Sequence, residues 1–283
     1  MPTHAIRDAA PLERRSSPDL PAVDFRNVSL SFDEKIVLRD VSFTLMPGHT
    51  KIILGASGSG KSTILKLILG LLKPDAGEIW IHGSRVDRMP EYDIMDVRRH
   101  LGMVFQEGAL FDSLTVGENV GYKLYEETEQ PLDNVRRRVE EVLGFVRLSE
   151  HIDKMPSELS GGQRRRVAIA RAMAYKPPTL LYDEATTGLD PITATTVDEE
   201  IIKLRDLEHV SSIVVTHQLR DAFYIATHMA ERDAQGKVSI LPATPAKERE
   251  AEFIMIREGM IVFEGDADAL RSSTDPYIQT FLD

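Results

Sequence analysis

Residues 51–63 read KIILGASGSGKST, a short apolar stretch that runs directly into a glycine-rich turn. The turn, residues 55–62, fits the pattern G-x-x-x-x-G-K-S/T, and a helix is predicted after it, from Lys61 to Leu69, ending at Gly70. A strand before this pattern and a helix after it are the setting in which it binds phosphate. Glycines let several backbone N–H groups point inward, and the helix N-terminus adds a partial positive charge. The stretch therefore predicts a cradle for phosphate groups.

The cradle predicts binding of a nucleoside triphosphate together with Mg²⁺. Lys61 is expected to reach the β- and γ-phosphates, and the Ser62 hydroxyl is expected to be a ligand of Mg²⁺, which prefers oxygen. The residues predicted to bind nucleotide in this stretch are Gly55, Ser57, Gly58, Ser59, Gly60, Lys61, Ser62 and Thr63. On its own the motif does not distinguish one nucleotide from another.

Two carboxylates, Asp183 and Glu184, follow a second apolar strand at residues 179–182. Catalytic groups gather at the carboxyl ends of parallel strands. Asp183 is expected to hold Mg²⁺ through water, and Glu184 is expected to polarise the attacking water as general base. An acidic pair at a strand end can also simply cap a helix, but a phosphate loop in the same chain favours the catalytic interpretation.

Two more polar residues follow short apolar strands: Gln106 comes after residues 103–105, and His217 after residues 213–216. Gln106 is expected to reach the metal or the attacking water, so the predicted metal site comprises Ser62, Gln106 and Asp183. A lone histidine is usually structural. The position of His217 at a third strand end instead predicts a catalytic residue that donates to the γ-phosphate.

Strand and helix patterns along the chain predict an α/β fold. Residues 22–45 alternate apolar and polar side chains, which predicts a small antiparallel sheet near the N-terminus. Short apolar strands separated by helices predict a mostly parallel sheet, with a helical subdomain inserted at about residues 107–175. Residues 22–283 are expected to form one domain, with 1–21 as a mobile tail and the polar stretch 231–252 as a surface insertion.

A second glycine-rich helix start occurs at residues 159–163, which read LSGGQ. Ser160 and Gln163 have the spacing of a capping box, and an apolar-patterned helix follows them. Such a helix N-terminus also suits an anion. One nucleotide needs only one cradle, so the second cradle makes sense if each subunit covers the nucleotide held by another copy.

Composition limits the other possible partners. The formal net charge is −11, which argues against nucleic acid as a main partner. The chain has no cysteine, so a disulfide framework and a thiolate metal site are excluded. No apolar run is long enough for a membrane-spanning helix, and the N-terminus lacks the order of a signal peptide. Any contact with a membrane is expected to be made through a partner.

The ordered set of motifs resembles the ATP-binding-cassette (ABC) family from about Val23 onward. An aromatic residue, the phosphate loop, a glutamine, LSGGQ, an Asp-Glu pair and a histidine occur in the family's order, at Phe32, 55–62, Gln106, 159–163, 183–184 and 217. The resemblance implies a P-loop NTPase core. It also implies ATP and Mg²⁺ as cofactors and a working ATPase.

Further roles follow from the same resemblance. It implies a head-to-tail dimer in which two ATP molecules lie between the copies. Ser160 and Gly162, with Gly161 and Gln163 beside them, would contact the partner's ATP; Asp190 would couple the two sites, and Phe32 would stack on adenine. Ala56 and Ala185 stand where the family usually has proline, which implies slightly softer turns rather than lost chemistry.

Several stretches are similar to the Mla, Mce and toluene-tolerance branch of the family, namely residues 105–111 with 113–116, 155–158, 189–193, and 275–277 with 281–282. This branch moves phospholipid or other lipids between bacterial membranes. The similarity implies an integral-membrane permease as partner, lipid-binding accessory subunits, and a peripheral position on the cytoplasmic face of the inner membrane. The alternative is a non-transport ABC ATPase with a soluble partner, of the iron–sulfur assembly type.

Overall fold

The computed structural model describes residues 20–282. The predicted mobile tail, residues 1–21, therefore lies outside the described residues except for its last two. In chain order the elements are β1 (Val23–Phe32), β2 (Lys35–Leu45), β3 (Thr50–Leu54), α1 (Lys61–Ile68), β4 (Ala76–Ile81), β5 (Ser84–Arg85), α2 (Glu91–Arg98), β6 (Leu101–Val104), α3 (Val116–Glu127), α4 (Leu132–Phe145), α5 (Gly161–Met173), β7 (Thr179–Asp183), α6 (Pro191–Glu208), β8 (Ser211–Val215), α7 (Leu219–Thr227), β9 (His228–Arg232), β10 (Val238–Pro242), α8 (Pro245–Glu248), β11 (Ala251–Arg257), β12 (Met260–Gly265), α9 (Ala267–Arg271) and α10 (Pro276–Leu282).

A mostly parallel sheet forms the centre of the fold. In the described part of the chain its strand order is β12-β11-β3-β8-β7-β6, and every neighbouring pair is parallel except β11 with β12. Alternate side chains of β3 enter two different apolar layers: Ile52 and Leu54 enter one, and Ile53 enters the other. Because both faces are covered, the short strands are apolar throughout, as expected for a parallel sheet.

The predicted N-terminal antiparallel sheet is confirmed. It has the order β2-β1-β4-β5, and the β1–β2 pairing places Phe25 opposite Phe43. The two rings stack with their centroids 4.6 Å apart. The inner side chains of this sheet share an apolar layer with α1 and with Ile53 of the central sheet. This packing brings β1 and β2 alongside the phosphate loop.

Helices dominate the chain between β6 and β7. Within the predicted span 107–175, helix α3 begins only at residue 116, and residues 107–115 are irregular. Asn119, fully buried, holds this irregular segment: it accepts from the Phe111 N–H at 2.8 Å and donates to the carbonyls of Phe111, Leu114 and Thr115, each at 3.0 Å. The segment after β6 is therefore held by hydrogen bonds to Asn119 of α3, and not by helical hydrogen bonds within the segment.

The polar stretch 231–252, read from sequence as a surface insertion, contributes to a β-hairpin. Strands β9 and β10 pair antiparallel, and the hairpin begins earlier, at residue 228. Arg205, a buried side chain on α6, donates to the carbonyls of Ile225 at 2.9 Å and His228 at 2.7 Å. Its neighbour Asp206 accepts from the Ala230 N–H at 2.8 Å. These bonds anchor the hairpin to α6.

Replacing Arg205 with methionine is expected to lower the free energy of unfolding by about 3 kcal/mol, because it removes the buried ion pair with Asp206 and the donor to the carbonyls of Ile225 and His228. Urea denaturation of the full chain measures this change. Arg136→Met is the control, since Arg136 is exposed and pairs with Glu140 on the same helix at 3.1 Å. Such a pair is worth about 0.5 kcal/mol or less. Equal losses in the two variants would contradict the anchoring role of Arg205.

Candidate active site

A cleft of about 780 Å³ lies where β3 ends and helix α1 begins. Nine of the predicted site residues line it together, seven predicted to bind nucleotide and two predicted to be catalytic: Phe32, Ser57, Gly58, Gly60, Lys61, Ser62 and Thr63, with Gln106 and Glu184. The N-terminal sheet forms one wall, and the carboxyl edge of the central sheet forms the floor. Parallel pairing has therefore brought residues that are far apart in sequence to one place.

The phosphate loop ends in an uncapped helix N-terminus. Gly60, the N-cap of α1, has φ 106°, and no side chain caps the first turn, which also contains no acidic residue. A side chain at position 60 would place its Cβ 2.9 Å from the Val37 carbonyl oxygen, so glycine is required here. The first N–H groups of a helix have no intrahelical partner. An anion at this loop would satisfy them.

Lys61 lies folded back over the loop. Its ammonium donates to the carbonyl oxygens of Gly55 at 2.8 Å and Ala56 at 3.0 Å. Burial lowers the pKa of Lys61, while the charges of Glu184 and Asp183 act in the opposite direction. Ser59 adds a buried hydroxyl that has no hydrogen-bond partner among residues 20–282. These groups suit a phosphate ligand, which would supply the missing acceptors and a compensating charge.

Two oxygen groups meet at the predicted metal site. The Ser62 hydroxyl donates to Asp183 Oδ1 at 2.9 Å. Burial raises the pKa of Asp183, and the bond from Ser62 counteracts this. A hydroxyl and a carboxylate are hard oxygen ligands of the kind that Mg²⁺ takes together with waters and phosphate oxygens. The donor set therefore fits the ion.

Glu184 is held from three sides just beyond the end of β7. Its N–H donates to the Val215 carbonyl at 2.9 Å, and its backbone φ is 49°, a value that residues other than glycine rarely adopt. His217 Nδ1 lies 3.2 Å from Glu184 Oε1, and the Thr187 hydroxyl donates to Oε2 at 3.2 Å. The carboxylate thus has a fixed orientation beside the cleft, which is what a general base needs.

The LSGGQ residues lie apart from this cleft. The predicted capping box is confirmed: the Gln163 N–H donates to Ser160 Oγ at 3.3 Å, and the Ser160 N–H donates to Gln163 Oε1 at 2.8 Å. Helix α5 starts against the first turn of α6, where a Cβ at Gly162 would come 2.0 Å from Thr193 Cγ2. Asp190 caps α6 by accepting from the N–H groups of Ile192 and Thr193, each at 3.1 Å.

The predicted site residues therefore form two groups within one chain. One group surrounds the 780 Å³ cleft. The other group lies where α5 and α6 begin and consists of residues 160–163 and Asp190. No residue of the second group lines the cleft among the described residues.

Sequence reasoning missed several side chains at the cleft. Lys35 and Arg39 of β2, and Glu258 of the β11–β12 turn, also line it. The Arg39 N–H donates to the Gly259 carbonyl at 2.8 Å, which joins these two elements beside the phosphate loop. Their positions depend on the packing of one sheet against the other, and no local sequence pattern reports this. Thr187 was also missed, because no local sequence pattern indicates that its hydroxyl donates to the Glu184 carboxylate.

Comparison with known proteins agrees with this geometry. The family described as ABC transporter matches residues 38–187. Protein TRIGALACTOSYLDIACYLGLYCEROL 3, chloroplastic, of Arabidopsis thaliana is 38% identical over 275 residues, which cover 92% of this chain and 72% of the relative. The intermembrane phospholipid transport system ATP-binding protein MlaF of Escherichia coli K12 is 34% identical over 261 residues, covering 92% of this chain and 88% of MlaF.

A solved structure supports the same assignment. A dimeric, post-hydrolysis state of the ATP-binding cassette MJ0796 bound to ADP and Pi matches with a TM-score of 0.70 at 29% identity, covering 86% of this chain and 98% of that one. The resemblance to the ABC family inferred from the motifs is thereby confirmed. With a family match over more than half of its length and a nucleotide cleft built from the same motifs, the chain belongs to the ABC transporter family, as an ATP-binding subunit that hydrolyses ATP.

Proposed function

We propose that the chain powers the transport of phospholipid or another lipid between membranes, as the ATPase subunit of a bacterial ABC transporter. The observation that carries this proposal is the 34% identity to MlaF, whose name specifies intermembrane phospholipid transport, over 92% of this chain. The chemistry of the cleft fits any ABC ATPase. The assignment of lipid as the cargo therefore depends on the similarity to MlaF, whereas the assignment of ATP hydrolysis depends on the cleft. The comparisons provide no support for the alternative, an iron–sulfur assembly ATPase with a soluble partner.

The nucleotide in this proposal lies in the cleft around residues 55–63. Its phosphates occupy the loop and the start of α1, and Lys61 turns from the loop carbonyls to the phosphates. Phe32, about half exposed at the cleft wall, stacks on the adenine ring. Ser62, Asp183 and Gln106 would hold Mg²⁺, which would neutralise charge on the phosphate oxygens.

The reaction step rests on Glu184. Its carboxylate, oriented by the Thr187 hydroxyl and His217, accepts a proton from the water that attacks the γ-phosphate. We assign His217, which follows the adjoining strand β8, to donate to that phosphate. Positioning and charge stabilisation supply most of the catalysis in phosphoryl transfer. The fixed orientation of the Glu184 carboxylate is therefore the feature on which the rate of ATP hydrolysis depends in this proposal.

A second copy of the chain completes each site. Ser160, Gly161, Gly162 and Gln163 lie outside their own cleft, at a helix start suited to an anion. In a head-to-tail dimer they contact the ATP held by the other copy, and Asp190 beside them joins the two sites. The dimeric state described for the solved MJ0796 cassette supports this arrangement.

A permease is the proposed membrane partner, and lipid-binding subunits complete the machine. No helix in the described part of the chain is long and apolar enough to cross a bilayer. Partly exposed aromatic rings lie on both sides of Gln106 in the chain, Phe105 before it and Phe111 and Tyr122 of α3 after it, and the last two contact each other with centroids 4.7 Å apart. We assign this aromatic surface to the permease. The chain then lies at the cytoplasmic face of the inner membrane.

Purification of the tagged full chain from native membranes in mild detergent tests the proposal. A polytopic membrane protein and bound phospholipid are expected in the same complex, identified by mass spectrometry of proteins and lipids. A complex with a soluble partner alone would leave the ATPase intact and overturn the transport function.

Glu184→Gln is expected to lower kcat by at least about 100-fold, since general base catalysis typically contributes that much. The variant keeps the phosphate loop, so it should bind ATP and accumulate as a closed dimer. Steady-state hydrolysis and size-exclusion chromatography with ATP measure the two effects. Undiminished hydrolysis would remove Glu184 from the role of base.

Phe32→Ala is expected to raise the KM for ATP by roughly tenfold, because stacking of a base on an aromatic ring is worth about 1–3 kcal/mol. The kcat should stay within about twofold, since Phe32 contacts no reacting atom. Tyr92→Ala is the control: Tyr92 is highly exposed on α2 and does not line the cleft. A KM equal to that of the control would show that adenine lies elsewhere.

A further inference from the structure

One arginine on α5 touches the segments that carry two of the proposed catalytic residues. Arg165, the second residue after LSGGQ, has a buried side chain. Its Nη1 donates to the Phe105 carbonyl at 3.1 Å, and its Nη2 donates to the Thr187 carbonyl at 3.3 Å. The two acceptors lie in segments that leave neighbouring strands, β6 and β7. A single guanidinium therefore bridges them.

Each acceptor belongs to a residue that is linked directly to a proposed catalytic residue, one through the peptide bond and the other through a hydrogen bond. Phe105 directly precedes Gln106, which lines the cleft. Thr187 donates through its own hydroxyl to Glu184 Oε2 at 3.2 Å. The contacts thus run from the backbone at Gln106, through the guanidinium and Thr187, to the carboxylate of Glu184.

We propose that Arg165 is a positioning residue for ATP hydrolysis, which sets the separation of Gln106 and Glu184 by fixing the carbonyls of Phe105 and Thr187 to the LSGGQ helix. Arg165 is not among the described residues that line the cleft, and it acts through the two segments that it holds. The inference rests on the proposed roles of Gln106 and Glu184.

Arginine suits this bridge and lysine does not. The guanidinium is a planar fork with five N–H donors, so its two terminal nitrogens reach separate acceptors at once. A lysine ammonium is a single centre on a flexible stem. Burial lowers the pKa of Arg165, with the charge of Glu107 opposing this shift, and the two carbonyl bonds offset part of the cost of burial.

The other arginines of α5 hold different segments. Arg164 donates to the Leu159 carbonyl, and Arg166 donates to the Val146 carbonyl, so both bind within the helical region. Arg171 donates to the carbonyls of Gly108 and Ala109, beyond Gln106, and reaches no residue of the Glu184 segment among its described bonds. Of these four, Arg165 is the one that joins the two catalytic segments.

Kinetics of Arg165→Lys and Arg165→Gln test the inference in the full chain, extracted in its native assembly. Both variants are expected to lose about tenfold in kcat, since a misplacement of about 1 Å can cost up to 100-fold. The KM for ATP should stay within about twofold, because the phosphate loop is untouched. Arg138→Lys is the matched control: Arg138 also donates to two carbonyls, Ala174 at 3.0 Å and Met173 at 2.8 Å, away from the cleft.

A double-mutant cycle with Thr187→Ala separates positioning from general packing. If Arg165 acts on Glu184 through Thr187, the loss caused by Arg165→Gln is expected to shrink in the Thr187→Ala background. Full rescue of kcat by Arg165→Lys, or kcat and KM changes no larger than those of Arg138→Lys, would overturn the inference. If both Arg165 variants hydrolyse ATP at the wild-type rate while the separate Glu184→Gln variant is inactive, the positioning role of Arg165 is overturned and Glu184 keeps its role as base. Wild-type hydrolysis by Glu184→Gln would overturn the proposed base and this inference with it.

Discussion

Parallel pairing of four neighbouring strands is the constraint on which the rest of the structure depends. In β3, β8, β7 and β6, Ile53 and Asp183 both pair with Val215, and Val104 pairs with Tyr182. Because these strands end at one edge, the phosphate loop and the segments that carry Gln106, Glu184 and His217 leave the sheet together. A one-residue slip in any pair would turn the side chains of that strand to the opposite face. The two apolar layers that fix the register therefore also fix the site.

This dependence explains which features could be predicted from sequence. Strand periodicity, the glycine motifs and polar residues at strand ends are local signals, so the α/β fold, the antiparallel sheet and the cap at Ser160 were predictable. The hairpin at 228–242 and its anchor were not, because Arg205 binds backbone carbonyls, which every residue has. Arg165 reaches a carbonyl 60 positions away for the same reason. The roles of the individual site residues remain predictions that the kinetics above test.

The separation of the two residue groups has a physical basis in α6. Asp190 caps this helix, and its first turn packs so closely on the LSGGQ helix that position 162 has no room for a side chain. Gly162 thus packs against the first turn of α6, whose N-cap is Asp190, and not against the chain's own cleft. The start of α5 is a helix N-terminus suited to an anion, and residues 160–163 do not line the chain's own cleft. This placement supports the proposed dimer, in which the cleft of a second copy faces the start of α5.

Helix α5 therefore has two roles in the proposed arrangement. Its first turn belongs to the partner's ATP in the proposed dimer, while Arg165 and Arg171, further along, hold the chain on both sides of Gln106. Arg165 bonds the carbonyls of Phe105 and Thr187 to this helix, so the segments that carry Gln106 and Glu184 are both attached to it. In the proposed dimer, one helix therefore contacts the partner's ATP at its first turn and, through its arginines, binds the segments that carry Gln106 and Glu184 and the backbone of Gly108 and Ala109.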